Sequence, residues 1–433
     1  MKNTLKKIIP KQIISYRRKI LNRRRESKLK RQIEQQEQRH QETVKRLHGK
    51  EKIKVAFFAI HSSVWKYDYL YQLMVNHPRF EPIIVVCPVI NYGIENMLRE
   101  MEKCYDMFHS RQYNVVRTYN PKTKEYMDVK KEINPDIIFY TNPYKGLIDD
   151  RYYITSFPDT LTCYVPYSAS ICSVESQYKK ELHYLVWRFY VENPLSYQLA
   201  CQLMPNKGQN TVPVGYPTMD SIFLPNYTPK KVWKHQQKIK IIWAPHHSFD
   251  TECIIHFSNF FKVSDAMIDI AQKYSNHIQI AFKPHPLLYV KLLNIWGQEK
   301  TDNYYNTWNE MPNTQYEDGE YLDLFMTSDA MIFDSVSFIH EYLFTQKSSL
   351  FIYGDGIDEQ LNEFGKEALK CHQLAYSIND IYLFIDSLLS AKDDSLSNKK
   401  YNYYLNNIKP IKAETASKAI LNDIINQIDN IKL

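Results

Sequence analysis

The sequence predicts an α/β protein: two doubly wound domains facing a cleft, preceded by a basic helical arm and followed by a helical tail. Three observations carry that prediction. Short apolar runs alternate with amphipathic, helix-length stretches, the pattern of βαβ units on a parallel sheet. The alternation runs to about residue 217, breaks over a polar, Pro-containing stretch, and restarts at Lys240. Four strand-like runs after the restart each stop at a polar cluster: Ala244-Pro245-His246-His247-Ser248, Lys283-Pro284-His285-Pro286, Asp334-Ser335-Val336-Ser337 and Gly354-Asp355-Gly356. In open parallel sheets, ligands bind outside the carboxyl ends of the strands, so repetition of such ends describes a small-molecule site.

Residues 1–50 form the arm. From Ile13 to Leu47 there is no Pro or Gly, and Gln, Glu, Lys and Arg dominate, which predicts a helix. Its apolar residues are too sparse for a coiled coil. The arm holds 17 Lys+Arg against 4 Asp+Glu, so the rest of a chain of net charge +7 carries −6. An anionic partner is therefore expected for the arm and not for the body. Clustered Lys and Arg suit an anionic membrane surface; the competing reading is a solvated helix. No fold motif supports nucleic acid.

The first domain, residues 51–228, opens on the buried strand Ile53–Ile60, which ends at His61-Ser62-Ser63. A helix is expected over Lys66–Asn76, a strand over Pro82–Cys87, a helix over Tyr92–Met107, and strands at Tyr113–Val116, Asp136–Tyr140 and Leu161–Val165. The second domain, residues 229–390, carries strands at Lys240–Ala244, Ile278–Phe282, Ala330–Phe333 and Leu350–Tyr353, with helices near Ser258–Tyr274 and Phe338–Phe344. Residues 391–433 make the tail, broken at Lys409-Pro410. Two Rossmann-like domains so arranged describe the GT-B architecture.

Other classes are disfavoured. There is no G-x-G-x-x-G after a strand and no G-x-x-x-x-G-K-[ST], against dinucleotide-dependent dehydrogenases and P-loop enzymes. Seven cysteines, none in a C-x-x-C pair, argue against a disulfide framework or zinc ribbon and for a reducing cytoplasm. No apolar stretch approaches the length of a membrane span, and Ile8-Ile9 and Ile13-Ile14 are too short for a signal-peptide core.

Three of the four strand ends suggest a role, and Gly354-Asp355-Gly356 is left unassigned. His285, between two prolines, sits on a stiff mount suited to a group that must meet a phosphate oxygen. Ser337 reads as the N-cap of the helix from Phe338, where free N–H groups and the helix dipole favour an anion, with Ser335 adding a donor. Glu341, one turn on, would accept from ribose hydroxyls; the alternative is a solvated helix face. Of His246 and His247, neighbours in extended chain, one ring would face the cleft. No carboxylate or Cys stands at ligand spacing beside them, so no metal is expected.

Phe282-Lys283-Pro284-His285-Pro286, the segment Ser328–Ser337, and Val214-Gly215-Tyr216-Pro217-Thr218-Met219-Asp220 together resemble the CDP-glycerol glycerophosphotransferases of teichoic-acid and capsule synthesis. The resemblance implies a GT-B fold, a CDP-activated donor bound in the second domain, no metal or other cofactor, and peripheral attachment to the inner face of the cell membrane. His285, Ser335 and Ser337 match the family's donor-phosphate motifs. Lys283, His246, His247, Glu341 and Gly215 complete the expected donor-binding set. The chain departs from the family twice. Where the family offers Trp-His-Gly-Thr-Pro, with a candidate general base, this chain has Cys163-Tyr164-Val165-Pro166-Tyr167-Ser168-Ala169. Thr218 stands where the family has Arg. His61, at the exit of the first strand, takes the base role by default; a loop or buried histidine is the plain alternative. The expected activity is transfer of glycerol phosphate, or a related polyol phosphate, to a hydroxyl of a polymer or lipid-linked acceptor, with His61 and His285 catalytic. The alternatives are a GT-B glycosyltransferase using a nucleotide sugar and an inactive membrane-associated assembly partner.

Overall fold

A computed structural model describes residues 11–430 apart from Tyr92, Pro143, Glu175, Ser176, Thr251 and Glu252. The first part of the arm, residues 1–10, lies outside the described residues.

The first domain contains β1 (Ile53–Ala59), β2 (Phe80–Val86), β3 (Val115–Arg117), the short hairpin β4 (Tyr119–Asn120) and β5 (Glu125–Tyr126), β6 (Ile137–Tyr140), β7 (Leu161–Tyr164), β8 (Arg188–Val191) and β9 (Thr211–Pro213). Apart from the hairpin these form one parallel sheet in the order β3-β2-β1-β6-β7-β8-β9. The second domain contains β10 (Ile239–Ala244), β11 (Ile278–Phe282), β12 (Thr314–Tyr316), β13 (Ala330–Phe333), β14 (Ser348–Ile352) and β15 (Gln373–Ala375). They form a second parallel sheet, β12-β11-β10-β13-β14-β15. Every residue of β6, β11 and β13 is buried, as strands covered by helices on both faces require. Strand order reverses beside β1 in one sheet and beside β10 in the other, and each reversal opens a crevice at the carboxyl ends.

A backbone seam makes the two crevices face each other. Residues after β7 pair with residues after β14: Ser173 N–H donates to Gln360 O at 2.8 Å and Asn362 N–H to Ile171 O at 3.0 Å. The Asn362 amide adds bonds to Ser170 O and Cys172 O at 2.7 and 3.1 Å. Gly365 fits here because a Cβ would stand 2.4 Å from Ile171 O.

The domain crossover is clamped from behind. Asp220 accepts from the N–H groups of Ala416 and Ser417 at 2.7 and 2.8 Å, capping the helix Ala416–Asp429. That helix buries Ala419, Ile420, Ile424 and Ile428 in one cluster with Ile53, Val55 and Phe57 of β1, so the end of the tail packs into the first domain. Gly215 lies at φ +108°, with room for a Cβ only 3.2 Å from that of Ala416. Both the conformation and the close approach select glycine.

The arm is helical over Lys11–Leu47, and its last third is docked rather than solvated. His40, Thr43 and Leu47 are buried. The Thr43 hydroxyl and Arg46 guanidinium donate to Asp159 O at 3.2 and 3.0 Å, and the Gln36 amide to Pro158 O at 3.0 Å. Polar side chains reaching backbone carbonyls do this work, which a search for apolar periodicity does not register.

Candidate active site

The site begins with a staple. Asp334, leaving β13, is buried, and its two oxygens accept from the N–H groups of His246 and Asn259, each at 2.5 Å. It thereby ties the exit of β13 to the exit of β10 and to the start of the helix Phe260–Lys273. Burial outweighs those bonds and pushes its carboxyl up to about 7.

Two histidines are then set in one tautomer by backbone donors. His285 N–H bonds to Pro245 O at 3.0 Å, and its Nδ1 accepts from Leu287 N–H at 3.1 Å, capping the helix Pro286–Trp296. His246 Nδ1 accepts from Ser248 N–H at 3.3 Å and lies 2.6 Å from Ser248 Oγ, which itself accepts from Phe257 N–H at 2.9 Å. A nitrogen that accepts carries no proton, so each neutral ring bears its proton on Nε2. His247 completes the cluster: ring centres lie 4.1 Å (His247–His285), 4.4 Å (His246–His247) and 5.0 Å (His246–His285) apart. Burial, then the neighbouring cations, pushes His285 down to about 3, His247 to about 4 and His246 further still. The three are neutral N–H donors at physiological pH.

Among the described residues this is the group whose ring nitrogens, all within 4.8 Å, have the number and reach for a metal ion. The tautomers point elsewhere. With the Nδ1 lone pairs of His246 and His285 engaged, their Nε2 atoms offer protons, which suit an oxyanion and not a cation.

Further donors stand at the exits of β11 and β13 without a protein partner among the described residues. They are the hydroxyls of Ser335 (buried) and Ser337 (half-buried) and the ammonium of Lys283, which is 6% exposed. Burial lowers the Lys283 pKa, while Asp318 and Glu317 pull it back. Ser337 departs from expectation. It stands at the N-cap position but is already helical, φ −63° and ψ −27°, and makes no capping bond. The helix it opens is short, Phe338–Glu341, running on as a 3-10 turn to Thr345.

Other expected residues sit apart from this cluster. Glu341 is buried and accepts from Tyr216 and Tyr321 hydroxyls at 2.7 and 2.6 Å, linking the crossover to the second domain. Gly215, its neighbour in the crossover, is accounted for by Ala416. The Gly354–Gly356 end is closed by Asn259, whose amide donates to Ile352 O at 3.1 Å and lies within 3.3 Å of a Cβ built on Gly354.

Across the cleft, His61 leaves β1 in extended conformation, with Nδ1 3.0 Å from Glu100 Oε2 on the helix Gly93–Ser110. Five residues on, Lys66 has no hydrogen-bond or ion-pair partner among the described residues. It keeps some exposed surface yet is surrounded by protein, as a side chain lining a narrow cleft is; burial lowers its pKa, and Glu341 and Glu320 of the second domain raise it. Lys66 and Glu100 escape sequence reasoning because no motif contains them; Asp334 lies in a strand-end cluster, but its stapling role is visible only once the fold brings His246 and Asn259 to it.

Residues 173–360 match the family model CDP-Glycerol:Poly(glycerophosphate) glycerophosphotransferase. No curated protein matches the chain. Among solved structures it is similar to a variant of the wall teichoic acid polymerase TagF soaked with CDPG, at 12% identity and TM-score 0.54 over 96% of this chain and 98% of that one. It is also similar to S. aureus MnaA in complex with UDP (14%, TM-score 0.53, 88% and 98% covered). A UDP-N-acetylglucosamine 2-epimerase gives 13%, TM-score 0.56, with 89% and 98% covered. Identities this low establish the shared fold. The matched segment contains the three histidines, Lys283, Ser335 and Ser337, and leaves out His61, Lys66 and Glu100. The chain thus has the GT-B fold, and its residues 173–360 are similar to the CDP-glycerol glycerophosphotransferase family.

Proposed function

We propose that this protein moves glycerol phosphate, or a related polyol phosphate, from a CDP-activated donor to a hydroxyl of a cell-surface polymer or lipid-linked acceptor, releasing CMP. One observation supports it above all. His246, His247 and His285 cluster at the carboxyl ends of β10 and β11, with Lys283, Ser335 and Ser337 at the exits of β11 and β13, inside the family-matched segment, and the Nε2 atoms of His246 and His285, the Lys283 ammonium and the serine hydroxyls lack a protein hydrogen bond among the described residues. Buried donors left unpaired are costly unless a ligand completes them. A diphosphate has the charge and the oxygens to do so.

In this reading His61 takes the proton of the acceptor hydroxyl as its oxygen bonds to the β-phosphorus. The bond from that phosphorus to the bridging oxygen breaks, and its electron pair leaves with CMP. The Nε2–H of His285 and its neighbours meet the charge that develops there. No metal is called for, because neutral N–H donors and Lys283 supply the electrostatic stabilisation.

The arm would hold the enzyme at the inner face of the cell membrane. Arg23, Arg24, Lys28 and Arg31 are exposed and line a groove of about 770 Å³ beside Glu181. Each cation near an anionic surface contributes about 1 kcal/mol. No helix among the described residues is long and apolar enough to cross a membrane.

Purified protein incubated with CDP-glycerol and a polyol-phosphate polymer tests the transfer. CMP release with a new phosphodiester in the product is expected. No CMP from any of a panel of CDP-polyols overturns the proposal, and a glycosidic product from a nucleotide sugar replaces it.

A further inference from the structure

We infer that Glu100 is the positioning carboxylate of the acceptor-side base, holding His61 so that its Nε2 lone pair receives the acceptor proton. The inference rests on the transfer reaction proposed above and adds a residue outside the family-matched segment.

The pair is built for this. His61 Nδ1 and Glu100 Oε2 lie 3.0 Å apart, and the two side chains are 21% and 22% exposed, shielded from water yet open to a substrate. Glu100 accepts only, so the proton between them belongs to Nδ1 and the lone pair to Nε2. Both mounts are rigid. His61 follows the buried strand β1, and Glu100 rides a helix whose Met97, Met101, Cys104 and Phe108 are buried against the sheet. The pair stands at the crevice beside the reversal of strand order, and residues that follow each of its two elements approach charges of the second domain. On its strand side Lys66 is within electrostatic reach of Glu341 and Glu320; its helix leads to Arg111, whose guanidinium is 3.6 Å from Glu320.

Few charges compete for the pair. Arg99 Nε lies 3.8 Å from the other Glu100 oxygen, leaving Oε2 to His61. The Cys104 thiol faces Glu100 and is held neutral, pushed up to about 12 by burial and that carboxylate. Lys66 is the remaining cation on the same segment.

The step balances. The acceptor O–H bond breaks, its proton passes to Nε2, and its electron pair forms the new O–P bond. The pair of the broken P–O bond leaves on CMP. Glu100 offsets the imidazolium charge until the proton returns to water. The polarity is the reverse of the donor-side histidines, whose Nε2 atoms carry protons.

Two readouts on the full chain test the inference. The first is ring 15N NMR of His61, identified by its loss in His61→Ala and independent of turnover. Expected is a neutral ring protonated on Nδ1, with that tautomer preference weakened in Glu100→Ala. A ring protonated on Nε2, or a tautomer balance that Glu100→Ala leaves unmoved, overturns the pairing whatever the enzyme transfers. The second is CMP release. His61→Ala should lower kcat by about 10²–10³-fold. Glu100→Ala should lower it by about 10-fold or more at unchanged KM for CDP-glycerol, with the acid limb of the kcat profile moved to lower pH and Glu100→Asp restoring most of the rate. A purely structural Glu100 would lower the folded fraction without moving that limb. If the wild type turns over and neither variant changes kcat, the base role falls and the transfer stands. If it releases no CMP from any CDP-polyol, the transfer falls first and the base role with it.

Discussion

The two sheets present similar polar groups at their carboxyl ends and use them in opposite ways. At the ends of β10, β11 and β13 three histidines cluster, His246 and His285 held from behind by backbone N–H groups and by Asp334, and the hydroxyls of Ser335 and Ser337 and the ammonium of Lys283 are unpaired among the described residues. At the ends of β1, β6 and β7 polar groups are spent on one another. Tyr67 donates to Tyr140 O at 2.5 Å and accepts from Val165 N–H at 3.1 Å; Thr141 Oγ1 donates to Phe58 O at 3.0 Å. The His61–Glu100 pair and Lys66 stay open on that side. The contrast fits the two halves of the proposed transfer. A multiply charged diphosphate needs many donors at once, whereas a neutral hydroxyl needs one base and room to approach.

The largest effect that would break the comparison is loss of the donor side at one ring. His285→Ala should cut kcat/KM for the CDP-activated donor by about 10²–10³-fold and abolish stabilisation by CDP-glycerol in a thermal melt. The apo protein should lose only the cap of the helix Pro286–Trp296, about 1 kcal/mol. Donor-induced stabilisation that survives the substitution would show that the histidine cluster is not the diphosphate site.

Next comes proton linkage, where the two sides should diverge. The free donor-side rings hold pKa values of about 3 to 4 or lower, so they are neutral from pH 8 to 5.5. A bound diphosphate stabilises their charged forms and raises those values. The complex then takes up protons, and affinity rises as pH falls, by about tenfold over that range if one proton is partly taken up. Turnover should move the other way, because a protonated His61 accepts nothing. Donor affinity measured by calorimetry and kcat measured by CMP release should therefore cross with pH. Parallel profiles would mean that both sides depend on one titrating group.

The Asp334 staple sharpens the donor side through stability. Its carboxyl binds a proton up to about pH 7 in the folded protein but only below the ordinary carboxylate range when unfolded. Its contribution is therefore fully present at low pH and is lost as pH rises through about 7. Asp334→Asn removes that dependence and one acceptor. Urea melts should show a flatter fall in stability between pH 4 and 7, with donor affinity down by several-fold as the His246 backbone loosens. An unchanged pH slope would place the Asp334 charge outside the stability balance.

Much of this architecture was legible in the chain. Ile278–Phe282 and Ala330–Phe333 are strands with the expected bounds, because a buried parallel strand reads as an apolar run between breakers. The helix Pro286–Trp296 was hidden by its own start: Pro284 and Pro286 read as a loop, whereas Pro286 is the first helical residue and His285, not a Ser or Asp, is the cap. β12 is three residues of mixed polarity and carries no period. The residues of the proposed donor side could be named in the chain because they cluster at strand ends. His61 could be named too, but not its partner Glu100, which lies 39 residues away and meets it only through the packing of a helix on a sheet.

The smallest effect separates the cleft from the arm. Among the described residues Lys66 has no hydrogen-bond or ion-pair partner to lose, so Lys66→Ala should cost only the packing of its stem and lower the melting temperature by no more than a few degrees. If its ammonium meets the phosphate of an approaching acceptor, KM for a polyol-phosphate polymer should rise by about three- to tenfold while KM for CDP-glycerol holds, an exposed ion pair being worth about 1 kcal/mol. Raising salt should erase the difference between wild type and variant. The arm should respond to salt in a different assay: flotation with anionic vesicles should weaken with ionic strength in both proteins alike. A Lys66→Ala variant that loses vesicle binding, or that weakens CDP-glycerol and polymer equally, would move Lys66 from the acceptor side to the membrane surface or to the donor.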